Sequence, residues 1–195
     1  MVPPVLVLAS ASPRRAAILG ALGIPFRAVT PSVDESILPG EKGAAAAERL
    51  ARAKAAAVGP QDLPVLAADT LVVCDREVLG KPATADEAAR MLRTLSGRSH
   101  EVVTGVCLAH GAASRSGVET TVVTFASMSA AEIAWYVDTG EPLDKAGAYH
   151  VDGRGALFVS SVSGSPSNVA GLPVRLVLRL AREAGLRWGP DRASR

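Results

Sequence analysis

The chain has 195 residues, of which 48% are hydrophobic and 21% charged, and its formal net charge is +2. This composition is typical of a globular domain with its own core, and it excludes a disordered chain. The balanced charge argues against a nucleic-acid polymer as partner, and no apolar run approaches the roughly 18 residues that cross a bilayer. We therefore expect one cytoplasmic domain over residues 1–188 and a disordered tail over residues 189–195.

The first apolar run, residues 5–9, predicts a buried strand, and Ser12-Pro13 after it indicates the start of a helix with a capping hydroxyl. Arg14 and Arg15 then fall in the first helical turn, where the helix dipole disfavours positive charge. They fit that position if an anion binds at the helix N-terminus. A solvated turn with two exposed arginines is the alternative interpretation.

Residues 44–58 are rich in Ala, Glu, Arg and Lys and predict a helix. Helical spacing puts Lys54 on the same face as Leu50, which faces the protein, and puts Glu48 and Arg52 together on the opposite face. Lys54 therefore either extends along apolar surface to solvent or reaches into a cleft towards negative charge.

A carboxylate interrupts the most apolar part of the chain. Residues 65–68 and 71–74 predict two short buried strand segments on either side of Asp69, and Gly80-Lys81-Pro82 closes the unit. A carboxylate in a buried segment is costly unless it is paired, hydrogen-bonded or bound to a cation. Asp69 is therefore either a structural ion-pair partner or a group held for chemistry.

The other segments predict alternating strands and helices, with no linker that would divide the chain. The predicted strands are 26–29, 101–109, 118–126 and a buried 156–162; the predicted helices are 84–95, 129–139 and 173–184; the predicted loops are 31–43, 111–117, 140–155 and 163–171. We expect the chain to fray from residue 185 onwards. The loop 140–155 is long and dense in Gly and charge, as functional loops frequently are.

Several common sites are absent from the sequence. It contains no G-x-G-x-x-G or G-x-S-x-G motif, its histidines lack metal-ligand spacing, and its two cysteines predict buried, reduced thiols. What remains is a set of cations and carboxylates at turns, in loops and on an inward helix face. The cations are Arg14, Arg15, Lys54, Lys81 and Lys145, and the carboxylates are Asp34, Glu35, Asp69 and Asp144. Such a set suits a polyphosphate bound with a divalent cation.

Segments over nearly the whole chain resemble the Maf family of nucleoside triphosphate pyrophosphatases. They are LASASPRR (8–15), VDE (33–35), LARAK (50–54), ADT (68–70), LGKP (79–82), residues 91–100, PLDKAGAY (142–149) and GLP (171–173). The resemblance implies an α/β fold with an elongated mixed β-sheet flanked by helices around a central cleft, related to that of inosine triphosphate pyrophosphatases. It also implies hydrolysis of a nucleoside triphosphate to the monophosphate and pyrophosphate.

The resemblance further implies a role for individual residues. Asp69 would be the proton acceptor that activates water, and Glu35 and Asp69 would hold a divalent metal cation, Mg or Mn. The triphosphate would be held by Ser10, Arg14, Arg15, Lys54 and Lys81. A homodimer is an expectation at the level of the family.

Arg14 and Thr70 resemble the branch of the family that acts on dTTP and UTP. That branch usually has Gln where this chain has Asp152, which would face the substrate, and its sequence also differs from Ser165-Pro-Ser-Asn168. A Gln side chain can donate and accept hydrogen bonds towards a pyrimidine edge, whereas an ionised Asp only accepts them.

A nucleotide-binding regulator of cell division and septum formation, with little catalysis, is the alternative function that the resemblance allows. The presence of Asp69, Lys54 and Lys81 favours the enzyme, because a pure sensor needs cations but not a general base.

Overall fold

The computed structural model describes residues 3–59 and 61–188, and they form one sheet covered by helices. The strands are β1 (Leu6–Ala9), β2 (Phe26–Val29), β3 (Val65–Cys74), β4 (Glu77–Leu79), β5 (Ser99–His110), β6 (Ala113–Phe125) and β7 (Val159–Ser163). The helices are α1 (Pro13–Ala21), α2 (Gly43–Ala57), α3 (Ala85–Leu95), α4 (Ala130–Asp138), α5 (Pro166–Val169) and α6 (Val174–Glu183). Three 3₁₀ turns, Glu141–Asp144, Ala146–Ala148 and Arg154–Phe158, replace most of the predicted loop 140–155.

The seven-stranded sheet is mixed, which confirms the predicted fold class. Its order is β2-β1-β3-β5-β6-β7, and β4 pairs with β3 beside that path. Strand β1 runs parallel to β2 and β3, and the remaining pairs are antiparallel. Within the two described ranges, no helix is long and apolar enough to cross a membrane.

One edge of β3 is shared by two short strands, and this arrangement creates the site. Strand β1 pairs with the start of β3 up to Ala67, and β4 pairs with its end from Val72 onwards. Neither strand covers residues 68–71 on that edge. The chain leaves β1 at Ser10 and leaves β4 at Gly80, so two loops open around the uncovered segment.

Helices α2 and α6 cover opposite faces of the sheet. A Cβ on Gly105 would lie 2.2 Å from the carbonyl oxygen of Ala47 in α2, and a Cβ on Gly117 would lie 3.1 Å from Leu176 in α6. Gly105 pairs with Val118, the neighbour of Gly117, so the two glycines point to opposite sides. Because successive residues alternate between faces, Asp69 points towards α2 and Thr70 towards α5 and α6.

The structure corrects the expected interruption at Asp69. Strand β3 runs unbroken from Val65 to Cys74, and Asp69 pairs with Gly105 in the ladder of β5. The backbone of an aspartate can continue a strand, provided that its side chain finds partners on one face.

Four further features differ from the sequence predictions. Strand β6 begins at Ala113, so the loop expected over 111–117 is a two-residue turn. The strand predicted as buried over 156–162 is β7, which lies at the edge of the sheet with most of its residues exposed. Short elements also escaped prediction, namely β4 and, inside the expected loop 163–171, α5.

The chain stays packed beyond the expected start of fraying at residue 185. Leu186 and Trp188 pack against the core beneath α6, and Trp188 is only 3% exposed. The tail predicted to be disordered, residues 189–195, lies outside the described residues. Cys74 and Cys107 are buried free thiols, as expected.

Candidate active site

The uncovered segment of β3 opens into a cleft of about 690 Å³. Eight of the nine predicted site residues line it: Ser10, Arg14, Arg15, Glu35, Lys54, Asp69, Thr70 and Lys81. Asp144 and Lys145, which pair with each other, line it as well. The ninth site residue, Asp152, is exposed just beyond the lining residue Val151.

Lys54 joins the two predicted metal ligands. Its Nζ lies 2.5 Å from Oδ1 of Asp69 and 2.6 Å from Oε1 of Glu35. Lys54 is 7% and Asp69 5% exposed, whereas about half of the Glu35 side chain is open to solvent. Lys54 therefore reaches into the cleft. Asp69 is the ion-pair partner of Lys54 and also lines the cleft. Asp34, adjacent in sequence, instead accepts hydrogen bonds from Ser36 at the surface.

Helix α2 carries Lys54 to this position because it lies close to the sheet. Ala46, Ala47, Leu50 and Ala51 face the strands and are buried, as the helical spacing predicted. Gly105 has no side chain, and the backbone of Ala47 occupies the space that a Cβ would fill. Gly105 is also the cross-strand partner of Asp69. The same close contact thus brings Lys54 near the carboxylate, on the opposite side of the helix from the exposed pair of Glu48 and Arg52.

The cations of the cleft determine the charge state of Glu35. Burial acts to raise the pKa of this carboxyl, but the hydrogen bond and charge of Lys54, together with Lys81 and Arg15, hold its pKa below the ordinary value. Glu35 is therefore ionised at neutral pH and is suited to a metal ligand.

Arg15 is held in place by the protein on three sides. Its Nε donates to the carbonyl of Gly171 at 2.7 Å, Nη1 to Ser10 Oγ at 3.1 Å, and Nη2 to Thr70 Oγ1 at 3.1 Å. These bonds use three of the five N–H groups of a guanidinium. Burial lowers the pKa of Arg15, and the charges of Asp69 and Glu35 oppose that shift.

The loop before α1 is organised by Ser10 and not by the predicted capping residue. Ser12 occupies the cap position without a side-chain hydrogen bond to the helix. Ser10 Oγ instead accepts from the N–H of Ser12 at 3.1 Å, in addition to its bond from Arg15. Arg14 and Arg15 both line the cleft at this helix start, as the anion-binding interpretation requires.

Sequence reasoning missed Thr104 behind Thr70, and it named Asn168 and Gly171 only within family segments, without a role for either. Thr104 lies directly opposite Thr70 in the ladder of β3 and β5, with the two hydroxyl oxygens 2.9 Å apart. Asn168 and Thr104 are 0% exposed, and Gly171 lines the cleft with a φ of +100°. Thr104 could have been identified from the register of β3 against β5, but a single sequence does not give that register.

Two carboxylates form the candidate metal site. Among the described residues, no group of three or more His, Cys, Asp or Glu side chains is placed to hold a metal ion. Glu35 and Asp69 nevertheless both contact one cationic atom, Lys54 Nζ, so their oxygens converge on a point that favours positive charge. Carboxylate oxygens are the ligands that Mg²⁺ prefers, and phosphate oxygens commonly complete its coordination. The residues present therefore fit such an ion bound together with a phosphorylated substrate.

The chain is similar to several known proteins. A relative from Anaeromyxobacter dehalogenans (strain 2CP-1), named dTTP/UTP pyrophosphatase, is 54% identical over 93% of this chain and 95% of its own. Another of that name, from Symbiobacterium thermophilum, is 50% identical over 92% and 94%. The solved structure of the Staphylococcus aureus Ham1 protein matches 62% of this chain and 71% of that chain at 14% identity, with a TM-score of 0.44. The family model described as Maf-like protein matches residues 5–184, and the chain belongs to the Maf family.

Proposed function

We propose that the protein hydrolyses nucleoside triphosphates, dTTP and UTP or related modified nucleotides, to the monophosphate and pyrophosphate. The observation that carries the proposal is the position of Asp69, which lies in the wall of a cleft among Lys54, Glu35 and Arg15. The relatives align with this chain over nearly their full length. Their name, dTTP/UTP pyrophosphatase, supports the reaction and the substrates.

In the proposed reaction, the oxygen of a water molecule forms a bond to the α-phosphorus while the bond from the α-phosphorus to the bridging oxygen breaks. The water proton passes to Asp69, and the bridging oxygen leaves with pyrophosphate. Lys54 binds Oδ1 of Asp69 and so orients the carboxylate, which leaves Oδ2 to accept the proton. Arg14, Arg15 and Lys81 face the cleft and would stabilise the negative charge that moves onto the leaving group.

Glu35 and Asp69 would hold the divalent cation, Mg or Mn. When bound, such an ion neutralises phosphate charge and makes a coordinated water more acidic. Ser10 would contribute through its hydrogen bond to Arg15, and Thr70 would contact the nucleoside. Asp152 stays a proposed base-facing residue, because it follows Val151 of the cleft wall.

The test measures pyrophosphate release from a panel of nucleoside triphosphates with Mg²⁺ or Mn²⁺. We expect turnover of dTTP and UTP, and Asp69→Asn should reduce kcat at least about a hundredfold, because it removes the general base. Asp34→Asn is the matched control and should change kcat less than about twofold, since Asp34 lies at the surface and accepts hydrogen bonds from Ser36.

Turnover that survives in Asp69→Asn would contradict the proposed role of Asp69. A wild-type protein that binds nucleotides without turnover would instead support the regulator of cell division. A clear preference for a purine triphosphate would overturn the proposed choice of base.

The proposed cytoplasmic location follows from this substrate class. The proposed homodimer is tested by light scattering after gel filtration.

A further inference from the structure

A closed ring of hydrogen bonds lies behind the cleft wall at Thr70. Arg15 Nη2 donates to Thr70 Oγ1 at 3.1 Å, Thr70 Oγ1 lies 2.9 Å from Thr104 Oγ1, and Thr104 donates to the carbonyl of Asn168 at 3.3 Å. The ring returns through Gly171, whose N–H donates to the same carbonyl at 2.9 Å. The carbonyl of Gly171 then accepts from Arg15 Nε at 2.7 Å.

Asn168 anchors this ring in the core. Its side-chain nitrogen donates to the carbonyl of Val102 at 2.9 Å and to Thr121 Oγ1 at 3.0 Å. Because the Val102 carbonyl can only accept, the nitrogen and not the oxygen of the amide must face it. The amide oxygen is left buried without a partner among the described residues. The two donated hydrogen bonds thus fix the side chain of Asn168 in the core.

The groups at the two ends of this series of hydrogen bonds determine which hydroxyl donates to which. A guanidinium only donates and a backbone carbonyl only accepts, so the two hydroxyls between them must both donate away from Arg15. Thr70 therefore gives its one hydrogen to Thr104 and uses one lone pair for Arg15. Thr70 is half-buried and lines the cleft. The second lone pair of its hydroxyl oxygen is therefore free to accept a hydrogen bond from a ligand.

We propose that Thr104 and Asn168 act as positioning residues that make Thr70 an acceptor-only group, which binds an N–H or O–H donor of the nucleotide. This inference rests on the proposed function. The phosphate oxygens of a metal-bound triphosphate are acceptors, so the donor belongs to the nucleoside. The two sources that dTTP and UTP share are the N3–H of uracil or thymine, which cytosine lacks, and the 3′-hydroxyl of the sugar, since dTTP has no 2′-hydroxyl.

The test compares UTP with two analogues, N3-methyl-UTP and 3′-deoxy-UTP, each of which removes one donor. The wild-type protein should lose about tenfold or more in kcat/KM on one of them, because a site built around a hydrogen bond rejects a partner that lacks it. Loss on the methylated base assigns the donor to the base, and loss on the deoxy sugar assigns it to the sugar.

Thr104→Val then tests the positioning role. Without an acceptor at Thr104, the hydroxyl of Thr70 can rotate, and the discrimination should fall below about threefold, mainly through KM. Thr104→Ser restores the hydroxyl and should restore the discrimination. Ser96→Ala is the control, since it removes a part-buried hydroxyl that accepts from the N–H of Met128 at 2.7 Å and lies outside the ring. It should lower the melting temperature and leave the discrimination unchanged.

Two results would overturn the inference: equal use of all three nucleotides by the wild type, or full discrimination in a folded Thr104→Val. If that variant does not fold, Thr104→Ala makes the same test. If the wild type turns over no triphosphate, the proposed function fails. Dissociation constants of the three nucleotides, measured by calorimetry, would then show separately whether Thr70 requires a donor.

Discussion

At the scale of single residues, Lys54 connects the fold to the chemistry. One ammonium group contacts both carboxylates, so buried Asp69 has the partner that a buried charge requires and half-exposed Glu35 shares it. The sequence predicted that Lys54 faces inward and that Asp69 is paired or used for chemistry. It did not show that the two residues are partners, because they lie 15 positions apart on a helix and a strand.

His100, one of the histidines that lack metal-ligand spacing in the sequence, is buried beside the cleft wall. Its Nε2 lies 3.0 Å from the hydroxyl of Tyr149, and its ring packs edge-on against Phe125 with centroids 5.0 Å apart. Burial lowers the pKa of His100 from 6.5 to about 4, so the imidazole is neutral in the folded protein at neutral pH.

This shift predicts how stability depends on pH. Since the pKa of His100 is lower in the folded than in the unfolded chain, the unfolded chain binds more protons between pH 6.5 and about 4. The free energy of unfolding should therefore decrease as the pH falls through this range, by up to about 1 kcal/mol per pH unit. Urea denaturation at several pH values measures the slope, and His100→Phe should reduce it. An unchanged slope in the variant would show that other groups cause the loss.

At the scale of elements, the contact between α2 and β5 decides where Lys54 lies. Sequence periodicity predicted the bounds of α2 and its buried face almost to the residue. The distance from the helix to the sheet depends on Gly105, which sits in the middle of a predicted strand and gave no signal of its own. A glycine inside a strand marks a close approach of another backbone only once the partner is known.

We therefore expect Gly105→Ala to displace α2 from the sheet. The added Cβ would lie 2.2 Å from the carbonyl oxygen of Ala47, which backbone movement alone can relieve. The free energy of unfolding should fall by about 2 kcal/mol or more, and activity should fall with it as Lys54 moves away from Asp69. Denaturant unfolding and pyrophosphate release measure the two effects.

Gly20→Ala provides the matched control for this prediction. Gly20 lies in α1, and a Cβ there would meet nothing within 4 Å. The substitution should stabilise the protein by about 0.5–1 kcal/mol, because alanine is the better helix former. If both variants had equal stability, the close approach of α2 to the sheet at Gly105 would not determine the stability of the fold.

At the scale of the whole molecule, the cleft is built from distant parts of the chain. Its walls come from residues 10–15, from Lys54 and residues 69–72, and from residues 144–151 and 169–171. The last of these segments lies between the edge strand β7 and helix α6, so the packing of the C-terminal part supports the ring of hydrogen bonds at Gly171. Trp188 completes the core beneath α6.

Trp188→Ala should therefore destabilise the fold by about 3–5 kcal/mol, because it leaves a cavity in a closed core. Trp135→Ala is the control, since Trp135 is 46% exposed on α4 and should lose less than about 1 kcal/mol. Thermal and urea unfolding of both variants check the contrast. If the two variants lost equal free energy of unfolding, the burial of Trp188 after α6 would not contribute specifically to stability.

The sequence by itself predicted most helix bounds and the candidate site residues, and its resemblance to a known family supplied the fold class. Periodicity, helix starts and the cost of a buried charge are local properties, and they singled out Arg15, Lys54 and Asp69 as candidates. The family resemblance supplied their proposed roles. Only the tertiary structure decided the partners. The gap on β3, the close approach at Gly105 and the direction of hydrogen bonds through Thr104 to Asn168 depend on strand register and helix distance. These quantities arise when segments far apart in the chain pack together, and no local pattern encodes them.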